Sequence, residues 1–294
     1  MATKGDTIPV HRLGEHTDQG YQLDRMHAFN KEDSDAMVKE LHRDDHYIFV
    51  LCETGSGKMV IDFEHFSIPP NTLVCVLPGQ VHSYYDVEEG IMGWFAAMDP
   101  GRIPDAFRTV LEDPLLSTKP LPVCAGDLER LTKCLELAND MQERPVSQYS
   151  RQAVYFLLDS FTAMVAELYA ARQGIAAGNV SRSRSINQEF RTMLAKKYKA
   201  VKSAGEYALA LHLSLSYLNE AVKEATGFTV SYWIQHEILL EAKRLLYYSG
   251  GSVKEIAYEL GYDDHAYFSR LFKRAVGKTP GAFRTEFGRA QYHR

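Results

Sequence analysis

The chain has 294 residues, 45% of them hydrophobic and 24% charged, the balance of ordinary globular proteins, and at roughly 100–200 residues per domain its length asks for two domains. Its net charge of −5 conceals a split: residues 1–180 carry 15 Lys and Arg against 27 Asp and Glu, a net of −12, whereas residues 181–294 carry 18 against 11, a net of +7. No apolar run approaches the ~18 residues of a membrane span, and the first 20 residues contain no signal-peptide core, which argues against membrane insertion or secretion and for the cytoplasm.

From Tyr21 to Met98 the pattern is short and β-like. "HYIFVLCE" (46–53) is rich in aromatic and branched residues, "TGSG" (54–57) reads as a turn, and "KMVIDF" (58–63) as the hairpin partner. After the break at "IPPN", "TLVCVL" (72–77) and "IMGWFAAM" (91–98) read as further strands of a sandwich or small barrel. Cys52, Cys75, Cys124 and Cys134 show no CxxC spacing and read as small buried residues in a reducing compartment.

After Pro122 the pattern turns helical. One helix begins near Asp127, an expected N-cap; a second, "SQYSRQAVYFLLDSFTAMVAELYAARQG", is expected to close at Gly174. In the second, Val154, Leu157, Phe161, Met164 and Leu168 step 3, 4, 3, 4, a heptad seam that serves equally for packing on the chain's own β-domain or for a dimer interface. "GIAAGNVSRSRS" (174–185) has the composition of an interdomain linker.

The last 110 residues repeat. "SYLNEAVKEATGFTVSYW" (216–233) aligns with "AYFSRLFKRAVGKTPGAF" (266–283) at an offset of 50, matching Tyr217 with Tyr267, Lys223 with Lys273 and Gly227 with Gly277. The preceding helices align at an offset of 49, so the second copy has one extra residue in its turn. Each copy reads helix, short turn, helix, a helix-turn-helix pattern that any αα-hairpin partly shares. In the second copy Ser252 and Glu255 have capping-box spacing, Gly261 suits a left-handed helix end, and Asp263 or Asp264 caps the next helix. That helix puts Phe268, Leu271, Phe272 and Ala275 on one face and Ala266, Arg270 and Lys273 on the other, flanked by Ser269 and Arg274. Small residues near a helix N-terminus with cations further along suit base edges and phosphates. The first copy presents Ser216, Asn219, Glu220 and Lys223, where Glu220 opposes phosphate unless it accepts from a cytosine amine. Between the copies runs a helix of about 18 residues, roughly 27 Å, long enough to set two recognition helices about one DNA turn apart.

At these residues the chain resembles the AraC/XylS-type bacterial transcription regulators. The resemblance covers about 186–287 and is carried by "IAYELGYDDHAYFSRLFKRAVGKTPGAFR" (256–284) and "YALALHLSLSYLNEAVKEATG" (207–227). It implies that Ala266, Tyr267 and Arg270 face bases and that Ser269 and Lys273 face the backbone, with Ser216, Asn219, Glu220 and Lys223 as first-copy counterparts. "HRDDHYIFVLCETGSG" and "LPGQVHS" resemble the two motifs of a cupin-like sensor domain. The expected fold is multidomain α+β: a cupin-like β-barrel (1–122), a helical dimerisation segment (123–174), a linker (175–185) and an all-α tandem helix-turn-helix domain (186–294). The expected function is a sequence-specific DNA-binding regulator, a homodimer through 127–173, with double-stranded DNA as partner and RNA polymerase as a further partner if it activates. No cofactor, catalytic residue or metal ligand is assigned. Tyr47, Phe49, His82, Tyr84 and Trp94 are candidates to bind a small-molecule effector, with simple barrel filling as the competing reading. "LPGQVH" reads as a turn with an inward-facing His82. A metal-dependent cupin enzyme is the rival function, and it requires His42, His46, Glu53 and His82 to converge.

Overall fold

A computed structural model describes residues 8–26, 41–88, 90–112, 119–143, 147–172 and 182–287. The chain divides into two units, Pro9–Ala177 and Gly178–Arg294.

Among the described residues, ten strands build the first unit: β1 (Val10–His11), β2 (Tyr21–Met26), β3 (His42–Asp44), β4 (Tyr47–Thr54), β5 (Gly57–Ile61), β6 (Glu64–Ile68), β7 (Thr72–Val76), β8 (Val81–Val87), β9 (Met92–Met98) and β10 (Leu121–Pro122). They form two five-stranded sheets, ordered β1-β3-β8-β5-β6 and β10-β7-β4-β9-β2, rather than one closed barrel. The side-chain period of two decides what each strand faces. Along β4, Ile48, Val50 and Cys52 join Met59, Ile61 and Ile68 in the core between the sheets. Tyr47, Phe49 and Leu51 point the other way, under the helices α2 (Ala125–Gln142) and α3 (Gln148–Arg172). A short helix, α1 (Asp105–Leu111), precedes them and buries Leu111 in the same cluster.

The expected hairpin between 46–53 and 58–63 does not form. β4 pairs with β7 and β9, and β5 pairs with β6 and β8, so the turn between them passes from one sheet to the other. β4 is buried on both faces from Tyr47 to Cys52, which needs a strand on each side and a second layer on top. Gly55 makes the crossing at φ +74, with the Ile91 backbone so close that a Cβ there would sit 2.7 Å from its Cα. His82 belongs to β8, not to a turn; the turn is Leu77–Gln80, closed by Gln80 N–H donating to Leu77 O at 3.1 Å.

The N-cap of α2 is Cys124, and Asp127 stands in the first turn instead, accepting from Cys124 Sγ at 3.0 Å. The seam of α3 is consumed by the chain's own core. Val154, Leu158, Phe161, Val165 and Tyr169 are buried there with Leu157, Met164 and Leu168 packed beside them, and Phe49 meets Phe161 edge-on at 5.6 Å. Tyr149–Arg172 is, by length and composition, apolar enough to cross a membrane, contrary to the reading of the sequence; one side of it is this core seam.

The second unit is helical: α4 (Arg182–Lys197), α5 (Ala204–Ala210), α6 (Leu215–Thr226), α7 (Val230–Tyr248), α8 (Val253–Glu259), α9 (His265–Val276) and α10 (Pro280–Phe287). The last residues of the expected linker are therefore already helical, while Gly174 lies outside the described residues. Phe190, Tyr207, Leu218, Val222, Trp233, Ile234 and Ile238 share one core. Ala242 and Leu245 of α7 are also buried, completing the inward stripe of the connecting helix. Lys202 joins the start of the unit to its second copy: its ammonium donates to the carbonyls of Tyr198 at 2.5 Å, Leu260 at 2.6 Å and Lys199 at 2.9 Å, serving carbonyls that follow or end helices and lack intrahelical partners.

Candidate nucleic-acid interface

The two copies match in their caps as well as their sequence. Ser214 caps α6 by accepting from Tyr217 N–H at 3.2 Å; Asp264, fifty residues on, caps α9 by accepting from Ala266 N–H at 2.8 Å. Both helices end at a left-handed glycine, Gly227 at φ 80 and Gly277 at φ 81. Thr229 and Thr279 then open α7 and α10 by accepting from Tyr232 and Ala282 N–H. On the N-terminal side, the capping box of Ser252 and Glu255 forms in full. The Tyr267 and Ala266 N–H groups hold the Asp264 carboxyl below the usual carboxylate range, so it stays charged at the helix N-terminus.

These caps fix which face of each helix is free. In α9, Phe268, Leu271 and Phe272 are buried, and Phe272 meets Phe283 of α10 edge-on at 5.7 Å. Ala275, placed on the apolar face by the spacing, is exposed. Ala266, Tyr267, Arg270, Lys273 and Arg274 are exposed, with Ser269 half-buried and its hydroxyl donating to His265 O. Arg270 makes a loose exposed pair with Asp264 at 3.7 Å. In α6 the exposed residues are Leu215, Ser216, Tyr217, Glu220, Lys223 and Glu224.

Asn219 stands apart from its expected role. It is half-buried, and its Oδ1 accepts from Val230 N–H at 3.1 Å, satisfying one of the orphan donors at the start of α7. Pairing with adenine would need that oxygen. Tyr217 was the residue the sequence reading left out. It is exposed as Tyr267 is, and the fifty-residue offset that matches the two was the available signal.

Arg284 explains the Pro–aromatic–Arg ending of the second copy. Its guanidinium donates to Leu246 O at 3.2 Å and Gly251 O at 2.5 Å, tying α10 to the C-terminal end of α7 and the loop beyond.

The exposed cations give a first expected result. Replacing Lys273 with Ala should weaken binding to every duplex about equally and reduce the slope of log K against log salt by about 1, as loss of a single phosphate contact requires. Titrations of specific and scrambled duplexes at four salt concentrations check this.

In the first unit the candidate effector residues divide between two cores. Tyr47, Phe49 and Trp94 are buried on the helix-covered face of their sheet, whereas Tyr84 packs against the core between the sheets and His82 lies beside it on β8. Alternation along β4 and β9 sets the first three apart from the other two. Trp94 borders an open cleft of about 500 Å³, which Arg25, Glu136, Asp140 and Gln142 also line.

The ligand set required of the enzyme does not assemble. Glu53 belongs to β4 and is engaged by Arg25 at 2.6 Å and Thr132 at 2.7 Å. His46 faces Asp45 at 3.0 Å, and His42 and His82 stand together in the other sheet.

Comparison with known proteins agrees with both halves of this architecture. Residues 30–158 match the AraC-like ligand binding domain, and residues 207–286 match a helix-turn-helix domain. The chain is 26% identical over 153 residues to the uncharacterized HTH-type transcriptional regulator YijO of Escherichia coli K12, a match covering 52% of each chain, so it spans about half of that relative's length. It is 25% identical to the HTH-type transcriptional activator RhaS of Salmonella schwarzengrund, over 83% of this chain and 87% of that one. Among solved structures, the C-terminal domain of AraT, a response regulator from Geobacillus stearothermophilus, is 27% identical, covering 39% of this chain and 95% of that one with a TM-score of 0.36. A β-rich domain of the ligand-binding type, followed by two capped helix-turn-helix copies with matching free faces, places the chain in the AraC family of helix-turn-helix transcription regulators.

Proposed function

We propose that the chain binds double-stranded DNA sequence-specifically, with α9 as its main reader and α6 as a supporting one. The observation that carries this is the matched pair of free helix faces, each following a tight capped turn, with Arg270, Lys273 and Arg274 on α9 and the single cation Lys223 on α6. α7, which links the copies, has 19 residues and so is about 28 Å long, which suits insertion of α6 and α9 into successive major grooves. Glu220 stands where Arg270 stands in the other copy, which makes the second copy the stronger anchor. A salt series on promoter fragments tests the reading: specific complexes should form and weaken steeply with salt. A folded chain that shifts no promoter fragment at any salt concentration would sink it.

The first unit serves regulation in this reading. A small-molecule effector in the ligand-binding domain would shift the balance of states that engage two half-sites together. The description of RhaS as an activator supports activation here, with RNA polymerase as the further partner and the cytoplasm as the location. Homodimerisation is assigned to the outer face of α2 and α3, since the inner seam is already filled. Leu137 and Phe156 are exposed there, Phe156 by 62%. Phe156→Asp is expected to leave the fold intact and shift sedimentation from dimer to monomer; an unchanged sedimentation profile would remove this face from the interface.

A further inference from the structure

In the second unit, the segment 198–203 between α4 and α5 does more than connect two helices. It follows a helix that belongs to the first copy: Phe190 and Leu194 of α4 are buried in that copy's core, with Tyr198 and Val201 packed beside them. Its polar groups nevertheless reach the turn of the second copy. Lys199 Nζ meets Glu259 Oε1 at 2.9 Å. Lys202 Nζ donates to Leu260 O at 2.6 Å while also holding Tyr198 O at 2.5 Å and Lys199 O at 2.9 Å, so each of its three donors has a carbonyl. Gly261 turns against Lys199 O with no room for a side chain. Tyr262 completes the contact. It packs on the first-copy core and lies 5.1 Å from the Lys202 ammonium, which sits over its ring. That ring also meets Phe268 at 5.5 Å and Tyr267 at 6.0 Å, near the start of α9.

We propose that Lys202 is a positioning residue that fixes the separation of the two recognition helices, so that the chain selects the length of DNA between its two contact tracts as well as their bases. The inference rests on the reading of α6 and α9 as paired readers of one duplex. The copies are joined twice, by the continuous helix α7 and by this clasp. A single helical joint leaves the second copy free to pivot about its end, and a second contact away from that axis removes the freedom. Lys202 is half-buried and spends its donors on backbone carbonyls, so it acts through the turn and α9 and not on DNA. The path is short: Lys202 to Tyr262 to Tyr267, which is 50% exposed on the helix that carries Arg270. In the first copy His212 and Leu213 stand at the matching positions, and Leu213 offers a cation no ring, so the clasp is a feature of the second turn. Each base pair added between the tracts moves the second by about 3.4 Å and turns it by roughly 35° about the duplex axis. A clasped pair cannot follow that displacement, whereas a pivoting pair follows part of it. Two linked readers reinforce each other only where geometry lets both engage, so the clasp turns spacing into affinity.

The probe is the full chain's strongest genomic fragment, trimmed to the two tracts of one half-site, with one base pair inserted or deleted between them. Anisotropy titrations of the full chain and of Lys202→Met, at equal salt and beside a thermal melt, give a spacing ratio: affinity at the native separation divided by affinity at the altered one. The ratio should be at least about tenfold for the full chain and about threefold or less for Lys202→Met, because a loosened second reader still reaches the shifted tract in part. A merely structural role would lower the folded fraction, and with it binding to all three duplexes alike, leaving the ratio where it was. Should Lys202→Met not fold, Lys202→Arg takes its place. It keeps the charge but brings a planar fork to three converging carbonyls, and its ratio should fall between the other two. A full chain that binds the native duplex with no spacing ratio, or a folded variant that keeps the full-chain ratio, would overturn the clasp and leave DNA recognition standing. Absence of any specific binding by the folded full chain would remove both.

Discussion

Replacing Arg270 with Ala should cut affinity for the specific operator by about tenfold to a hundredfold, the ~1–3 kcal/mol of discrimination that a bidentate arginine–guanine pair supplies. Affinity for scrambled DNA should fall by only a few-fold, because one charge is lost in both cases. The structure makes this a clean substitution. The Arg270 side chain is 70% exposed and its ion pair with Asp264 is long and solvated. Stability should change by no more than about 0.5 kcal/mol, the usual range for an exposed position. Anisotropy titrations on specific and scrambled duplexes, beside a thermal melt, separate the effects. An equal loss on both duplexes would show that Arg270 touches phosphate and that specificity lies elsewhere on α9.

The second large effect falls on the fold. Gly261→Ala should destabilise the helical unit by about 2–5 kcal/mol, combining the ~1–2 kcal/mol of a left-handed non-glycine residue with the ~1–3 kcal/mol of overpacking. Gly261 sits at φ +79, and a Cβ there would lie 1.9 Å from Lys199 O, a carbonyl already held by Lys202. The first copy shows why the clash matters more than the dihedral. His212, the counterpart at an offset of 49, adopts φ 56 with a full side chain. Calorimetry of the full chain should show a helical-unit transition lowered by roughly 10 °C or more; an unchanged melt would mean that the turn can relax away from Lys199.

Local chemistry was what the sequence made legible. Ser252 with Glu255, Gly261 and the acid pair Asp263–Asp264 each act within one helical turn; the capping box and the left-handed glycine stand as their spacing implied, and Asp264 is the acid that caps. The basic face of α9 followed from the same short-range geometry. What the sequence concealed was the choice of partner. "TGSG" has turn chemistry whether the next strand returns beside β4 or crosses to another sheet, and burial on both faces of β4 decided for crossing. The 3-4 spacing of α3 is satisfied equally by a second copy of the helix and by the sheet beneath it, and Phe49 against Phe161 shows that the sheet takes it. Tyr47, Phe49 and Trp94 looked able to share a pocket with Tyr84 and His82 until the pleat separated them. Asn219 looked free until Val230 N–H, eleven residues on, claimed its oxygen.

Hydroxyl-radical footprinting of the full chain on its strongest genomic fragment tests the central reading most directly. Two protected tracts about 10–10.5 base pairs apart on one face of the duplex are expected within each half-site, as α6 and α9 of one chain entering successive major grooves require. Arg270→Ala should fade the tract under α9 first. Protection of a single tract that ignores Arg270→Ala, or no protection by a folded chain on any fragment, would contradict the account.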